Sequence, residues 1–200
     1  MIFGTPASIV TNLCAGLIDM NEPLRRPPLY ALAVSLLMLA LGTLLGALLV
    51  SFQDIFYAAA RREIIKRPEI HGFSGSEVID QGRIAEVADQ ANAALRLLHT
   101  HSIGVGILIF AATSIIVNLP LSHRLKLTFC VLVSLGAVYP LGWGVLAWLI
   151  PFTGADALRG PVEWTFFVPF GGALIIGLAG AVIMLCIGWL RRSAEQSSEP

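Results

Sequence analysis

Two hundred residues with no formal net charge and a mean hydropathy of +0.78 describe one bundle-sized unit made for apolar surroundings. Charged residues form 13% of the chain, about half the share of a soluble domain, and no long basic run is present, which argues against a soluble fold and a nucleic-acid partner. Cys14, Cys130 and Cys186 are scattered without a CxxC, so they read as small apolar fillers rather than a redox pair or zinc knuckle.

Residues 1–28 form an N-terminal tail. Met1 to Ala15 has no basic n-region, so the first span is expected to act as the insertion signal and the N-terminus to be kept. Thr5-Pro6 is a cap and first-turn pair. Ile9, Leu13 and Leu17 share one face of a helix over Pro6 to Met20. That helix is too short to cross a bilayer and is expected to lie in its interface, or to dock on a partner subunit.

Residues 29–192 form the membrane domain. Four runs lack Asp, Glu, Lys and Arg: 29–52, 102–119, 127–150 and 164–190. Each approaches the roughly 20 residues a crossing needs, and a lipid-exposed backbone must satisfy its own hydrogen bonds, so each predicts a transmembrane helix. The fold class is therefore an all-α integral membrane bundle of four transmembrane helices with an interfacial N-terminal helix and a helical first loop. Pro27 and Pro28 open the first span, Pro120 closes the second and Pro151 the third. Trp143, Trp148, Trp164 and Trp189 lie mostly toward span ends, as interfacial anchors do.

The first loop, 53–101, opens with charge (Arg61, Arg62, Glu63, Lys66, Arg67, Glu69) and passes a turn at His71-Gly72-Phe73-Ser74-Gly75. Ser74 with Glu77 fits a capping box. Val78, Ile84, Val87, Ala91, Leu95 and Leu98 then recur at helical spacing up to the second span. Gly42-x-x-x-Gly46 and Ala173-x-x-x-Gly177-x-x-x-Ala181 allow close helix contact, within the chain or between subunits. In the third span Pro140 should kink the helix and free a carbonyl, as a structural break or as a cavity wall carrying Tyr139 as a donor. A polar tail, 193–200, ends the chain.

Arg124, Lys126, Arg191 and Arg192 on short flanks outweigh Arg159 in the third loop, while Arg61 and Arg62 pull the other way. The balance places both termini on the cytoplasmic side. The expected partners are the lipid bilayer and either other membrane subunits or further copies of this chain.

The histidines carry the only chemistry in view. His123 stands among Arg124 and Lys126 and reads as a solvated interfacial residue. His99 and His101 open the second span two residues apart, so a regular helix points them about 200° apart. From a regular helix they can serve two faces but not easily grip one ion, unless the helix begins at Thr100 and frees His99 to turn. Gly106 lies below His99, and its missing side chain leaves space where a flat macrocycle could lie. Interfacial imidazoles bonded to headgroups, water or backbone are the alternative.

His99-Thr100-His101 followed by Gly106 resembles the His-x-His helix of haem–copper oxidase subunit I, in which two histidines on opposite faces ligate two haems. The likeness extends to a family of small uncharacterised bacterial membrane proteins resembling a fragment of that subunit. The matching pieces are Phe56-Tyr57 with Arg62-Glu63, then Gly72-Phe73-Ser74-Gly75, then His99-Thr100-His101, over about Phe52 to Phe110. This chain departs from the pattern with Ala58-Ala59-Ala60 before Arg61 and a long helix before His99. The resemblance implies haem-type ligation by His99 or His101, the second axial ligand coming from His71, another copy or another subunit. The same histidines are the metal-ligand candidates. The leading expectation is thus a redox-associated membrane subunit holding haem or a metal, with no enzyme activity of its own. A cofactor-free structural or assembly subunit is the first alternative. A small-molecule carrier with its cavity at Tyr139 and Pro140 is the second.

Overall fold

The computed structural model describes residues 25–197, and side chains over 25–190. The N-terminal helix expected at Pro6 to Met20 lies outside the described residues. The described residues form helices and no strand, with four helical stretches long and apolar enough to cross a membrane. α1 (Leu29–Ile65) and α2 (Glu77–Asn118) form an antiparallel hairpin. The third stretch is α3 (His123–Leu135), a 3₁₀ turn (Gly136–Val138) and α4 (Leu141–Thr153). The fourth is α5 (Ala155–Val162), a π-helical segment (Glu163–Gly171) and α6 (Gly172–Ser197). α2 is the central element, packed against α1, α3 and α4.

Several expected boundaries move. α1 does not stop at Phe52 but turns there (φ −132°, ψ 19°) and continues to Ile65. Ala58, Ala59, Ala60, Arg61, Arg62 and Glu63 are good helix formers, so charge ends the apolar run without ending the helix. Gly154 alone (φ 79°) separates the third and fourth stretches, and α4 passes through Pro151 to Thr153, so the loop expected between them is absent. The backbone of α6 stays helical through Ser197, shortening the polar tail.

At the head of α2 the capping box does not form. Asp80 instead accepts from the Ser74 and Gly75 N–H groups at 2.7 and 3.0 Å, closing the turn in which Gly72 and Gly75 take positive φ. α2 then runs unbroken past Gly82 to Asn118. Of its expected stripe, Ile84, Val87, Ala91 and Leu98 are buried and Leu95 half-buried, but Val78 is exposed. At the opposite end Asn118 pairs with the Arg25 main chain, and Lys126 Nζ donates to Val117 O at 2.8 Å, capping a carbonyl that the end of α2 leaves open.

The buried residues fall into two clusters. One, around Ile109, Ile116, Cys130 and Val133, joins the apolar parts of α1, α2, α3 and α6. The other, around Ile64, Ile84, Ala88 and Ile150, joins the far end of α1 to the first half of α2, α4 and α5.

Candidate functional site

The two glycines of the first span lie against α2. A Cβ on Gly42 would fall 2.6 Å from Ile103 Cγ1, and one on Gly46 would fall 2.5 Å from His99 Cε1. The close contact that these glycines predict is therefore internal, and the missing side chain at Gly46 is where the His99 imidazole rests. His99 Nδ1 lies 2.7 Å from Gly42 O. A carbonyl can only accept, so Nδ1 carries the proton and donates.

One heptad along the same seam, Ser35 Oγ donates to Gly106 O at 2.7 Å, from a side chain only 2% exposed. Two interhelical hydrogen bonds thus stand about 10 Å apart, one donated by each helix to a glycine carbonyl of the other. The space expected below His99 at Gly106 is filled by α1: a Cβ there would lie 3.1 Å from both Ser35 O and Leu39 Cγ. The absence of a side chain at Gly106 serves backbone approach, and it opens no slot on that face.

His101 points away from α1, as the helical spacing requires. Its ring stacks on Tyr139 (centroids 5.4 Å apart, planes 26° apart) and meets Trp143 edge-on at 5.9 Å. Phe167 closes the group, 5.3 Å from Tyr139 and 4.8 Å from Trp143. Gly142 makes room for Phe166 and Phe167, since a Cβ there would lie 2.5 Å from Phe167 Cε1. Tyr139 was a candidate donor into a cavity, but its hydroxyl accepts from Trp143 Nε1 at 3.3 Å. Pro140 is fully buried. The Gly136 carbonyl that Pro140 cannot bond is taken by Tyr139 N–H at 3.1 Å, so the break in the third stretch is satisfied locally as a 3₁₀ turn. Tyr139 packs among aromatic rings, and Pro140 is buried beside it.

His71 is 4% exposed and elsewhere again, its Nε2 3.1 Å from Pro151 O. That carbonyl belongs to the last turn of α4, where no helical N–H follows to bond it. Arg83 Nε donates to His71 O at 3.2 Å and fixes the turn from below. His123 begins α3 and is exposed at the other end of the bundle.

Four histidines thus have four surroundings: the α1 backbone, an aromatic box, a helix C-terminus and open surface. Among the described residues no three His, Cys, Asp or Glu side chains come together as a metal would need. His99 Nδ1 and His71 Nε2 are each committed to a carbonyl, the arrangement that orients ligating histidines by their other ring nitrogen.

Sequence reasoning missed a groove of about 440 Å³ between the far end of α1, the first half of α2, and α4. Its signal was the small-residue series Ala59-Ala60, Ala88, Ala91, Gly144 and Ala147, spread over three helices and invisible until they are assembled. No protein-family model, no curated protein and no solved structure matches this chain.

Proposed function

We propose that the chain is a multi-pass subunit of a bacterial inner membrane, with both termini in the cytoplasm, and that its role is structural or assembly-related rather than catalytic. The observation that carries this reading is the His99 imidazole seated on Gly46 and hydrogen-bonded to Gly42 O. This histidine acts as a clamp between the first two spans. Polar side chains at membrane helix contacts commonly serve this way, bonding the neighbouring backbone. The lipid-facing sides of the bundle remain apolar and exposed, Leu36, Leu37, Ile175 and Ile176 among them, and offer surface to bilayer or partner subunits.

The test is the absorption spectrum and the iron, copper and zinc content of the protein purified with its native partners. A colourless, metal-free preparation supports the structural reading. A Soret band lost in His99→Ala, with the helical content kept, overturns it.

The second reading, a redox subunit holding haem or a metal at His99, is favoured by one feature, the Nδ1–H donated to a carbonyl. The same arrangement orients ligating histidines and leaves Nε2 for the iron. His101 and His71 are engaged elsewhere, so a second axial ligand would come from another copy or another subunit.

A further inference from the structure

We propose that the groove between α1, α2 and α4 binds a single-chain anionic amphiphile, a long-chain carboxylate, with its tail toward the spans and its head at Arg62. Three observations carry this. The volume of about 440 Å³ falls inside the roughly 300–1,000 Å³ of small-molecule sites. The stretch from Ala88 to Leu98 sets a length of about 15 Å at the helical rise, so the space is long and narrow, suited to one chain rather than two.

The lining grades in polarity. Phe56, Leu98 and Gly144 form the end nearest the spans, while Arg62, Glu63 and Phe152 form the other. Glu63 is already paired with Lys66 at 2.6 Å and Arg67 at 2.8 Å. Arg67 also lies 4.7 Å above the Phe152 ring. Arg62 has no ion pair or hydrogen bond among the described residues, so a guanidinium stands uncompensated where the apolar channel ends. A carboxylate meets its two parallel donors with matching geometry.

The experiment uses the full chain in nanodiscs of zwitterionic phosphatidylcholine, titrated with a dibrominated C18 fatty acid while tryptophan emission is followed. Trp148 lines the groove, and bromine quenches indole on contact. The expected result is saturable quenching that Trp148→Phe removes, with an apparent Kd raised about tenfold or more by Arg62→Gln, the loss of one charge-assisted pair. Filling the groove with Ala91→Phe should abolish saturation. Ala59→Phe, at an exposed wall position, serves the same end if Ala91→Phe does not fold. Linear quenching that is unchanged in Trp148→Phe overturns the proposal, since the probe then acts only from the bilayer. So does full quenching of Trp148 by brominated phosphatidylcholine with no competition from the fatty acid, because the occupant is then a two-chain bilayer lipid. Loss of fatty-acid binding on adding a partner subunit's helix, with no fatty acid in the native complex, assigns the groove to protein and also overturns it.

Discussion

The two halves of the α1–α2 hairpin are built by different rules. In the half nearest the chain's ends, small residues and polar clamps set the contact: Gly42 and Gly46 against α2, Gly106 against α1, with the Ser35 and His99 hydrogen bonds between them. In the half beyond Phe52, the contact rests on aliphatic burial by Ile64, Ile84, Val87 and Ala88, flanked by the Glu63–Lys66, Glu63–Arg67 and Arg83–Glu86 pairs. Lipid tails are as apolar as leucine, so helices within a bilayer gain little by hiding apolar surface and need close approach and hydrogen bonds instead. In the proposed membrane topology the outer half faces water, where ordinary apolar burial is favourable. The crossover between the regimes is the turn in α1 at Phe52, six residues, about 9 Å, beyond the Gly46 seat of His99.

The largest break in this comparison should come from Val87→Asp. An unpaired carboxyl in the outer cluster, at a position 7% exposed, should cost about 3 kcal/mol or more and lower the melting midpoint of the detergent-solubilised protein by many degrees. A melting curve matching wild type would mean that the outer half is not packed as described. Second comes Gly46→Leu, which puts side-chain carbon where the His99 ring lies. Overpacking of this kind costs roughly 1–3 kcal/mol. Its double variant with His99→Ala should recover part of the loss, and a purely additive pair would show that ring and glycine do not touch. Third are Ser35→Ala and His99→Ala, each expected to cost about 0.6 kcal/mol and at most about 1.7, measured in bilayer-reconstituted protein. Smallest is Glu63→Gln, where the ion pairs are solvated. Its melting midpoint should stay within experimental scatter and be insensitive to salt.

Much of this division was legible in the residues. The four charge-free runs marked the spanning stretches, and a helix without proline from Ile84 to Asn118 fixed His99 and His101 on opposite faces. What could not be read was what each face meets. Gly106 announces a missing side chain but not whether a cofactor or a neighbouring backbone fills the space, since both need the same vacancy. The extension of α1 past Phe52 was hidden because Asp54 and Arg61 end a hydropathy run, whereas Ala58 to Ala60 sustain a helix. The join at Gly154 was hidden for the opposite reason. Pro151 reads as the end of the third span, yet the helix passes through it and only Gly154, with φ 79°, breaks the path to α5. The aromatic box of His101, Tyr139, Trp143 and Phe167 draws on three separate stretches, so no local pattern could have assembled it.

The length of α2 carries a mechanical meaning. Its 42 residues make an unbroken rod of about 63 Å, roughly twice the thickness of a hydrocarbon layer. Some 25 of these residues precede Ser102, so about 37 Å of rod stands beyond the apolar stretch, held as a mast by the end of α1, by α4 and by α5. Because the rod carries no hinge between its tip and the clamp at His99, a load applied at the mast is borne at the His99–Gly46 seat as torque rather than absorbed by bending. Anything that takes hold of the outer half can thereby tilt the second span as a whole.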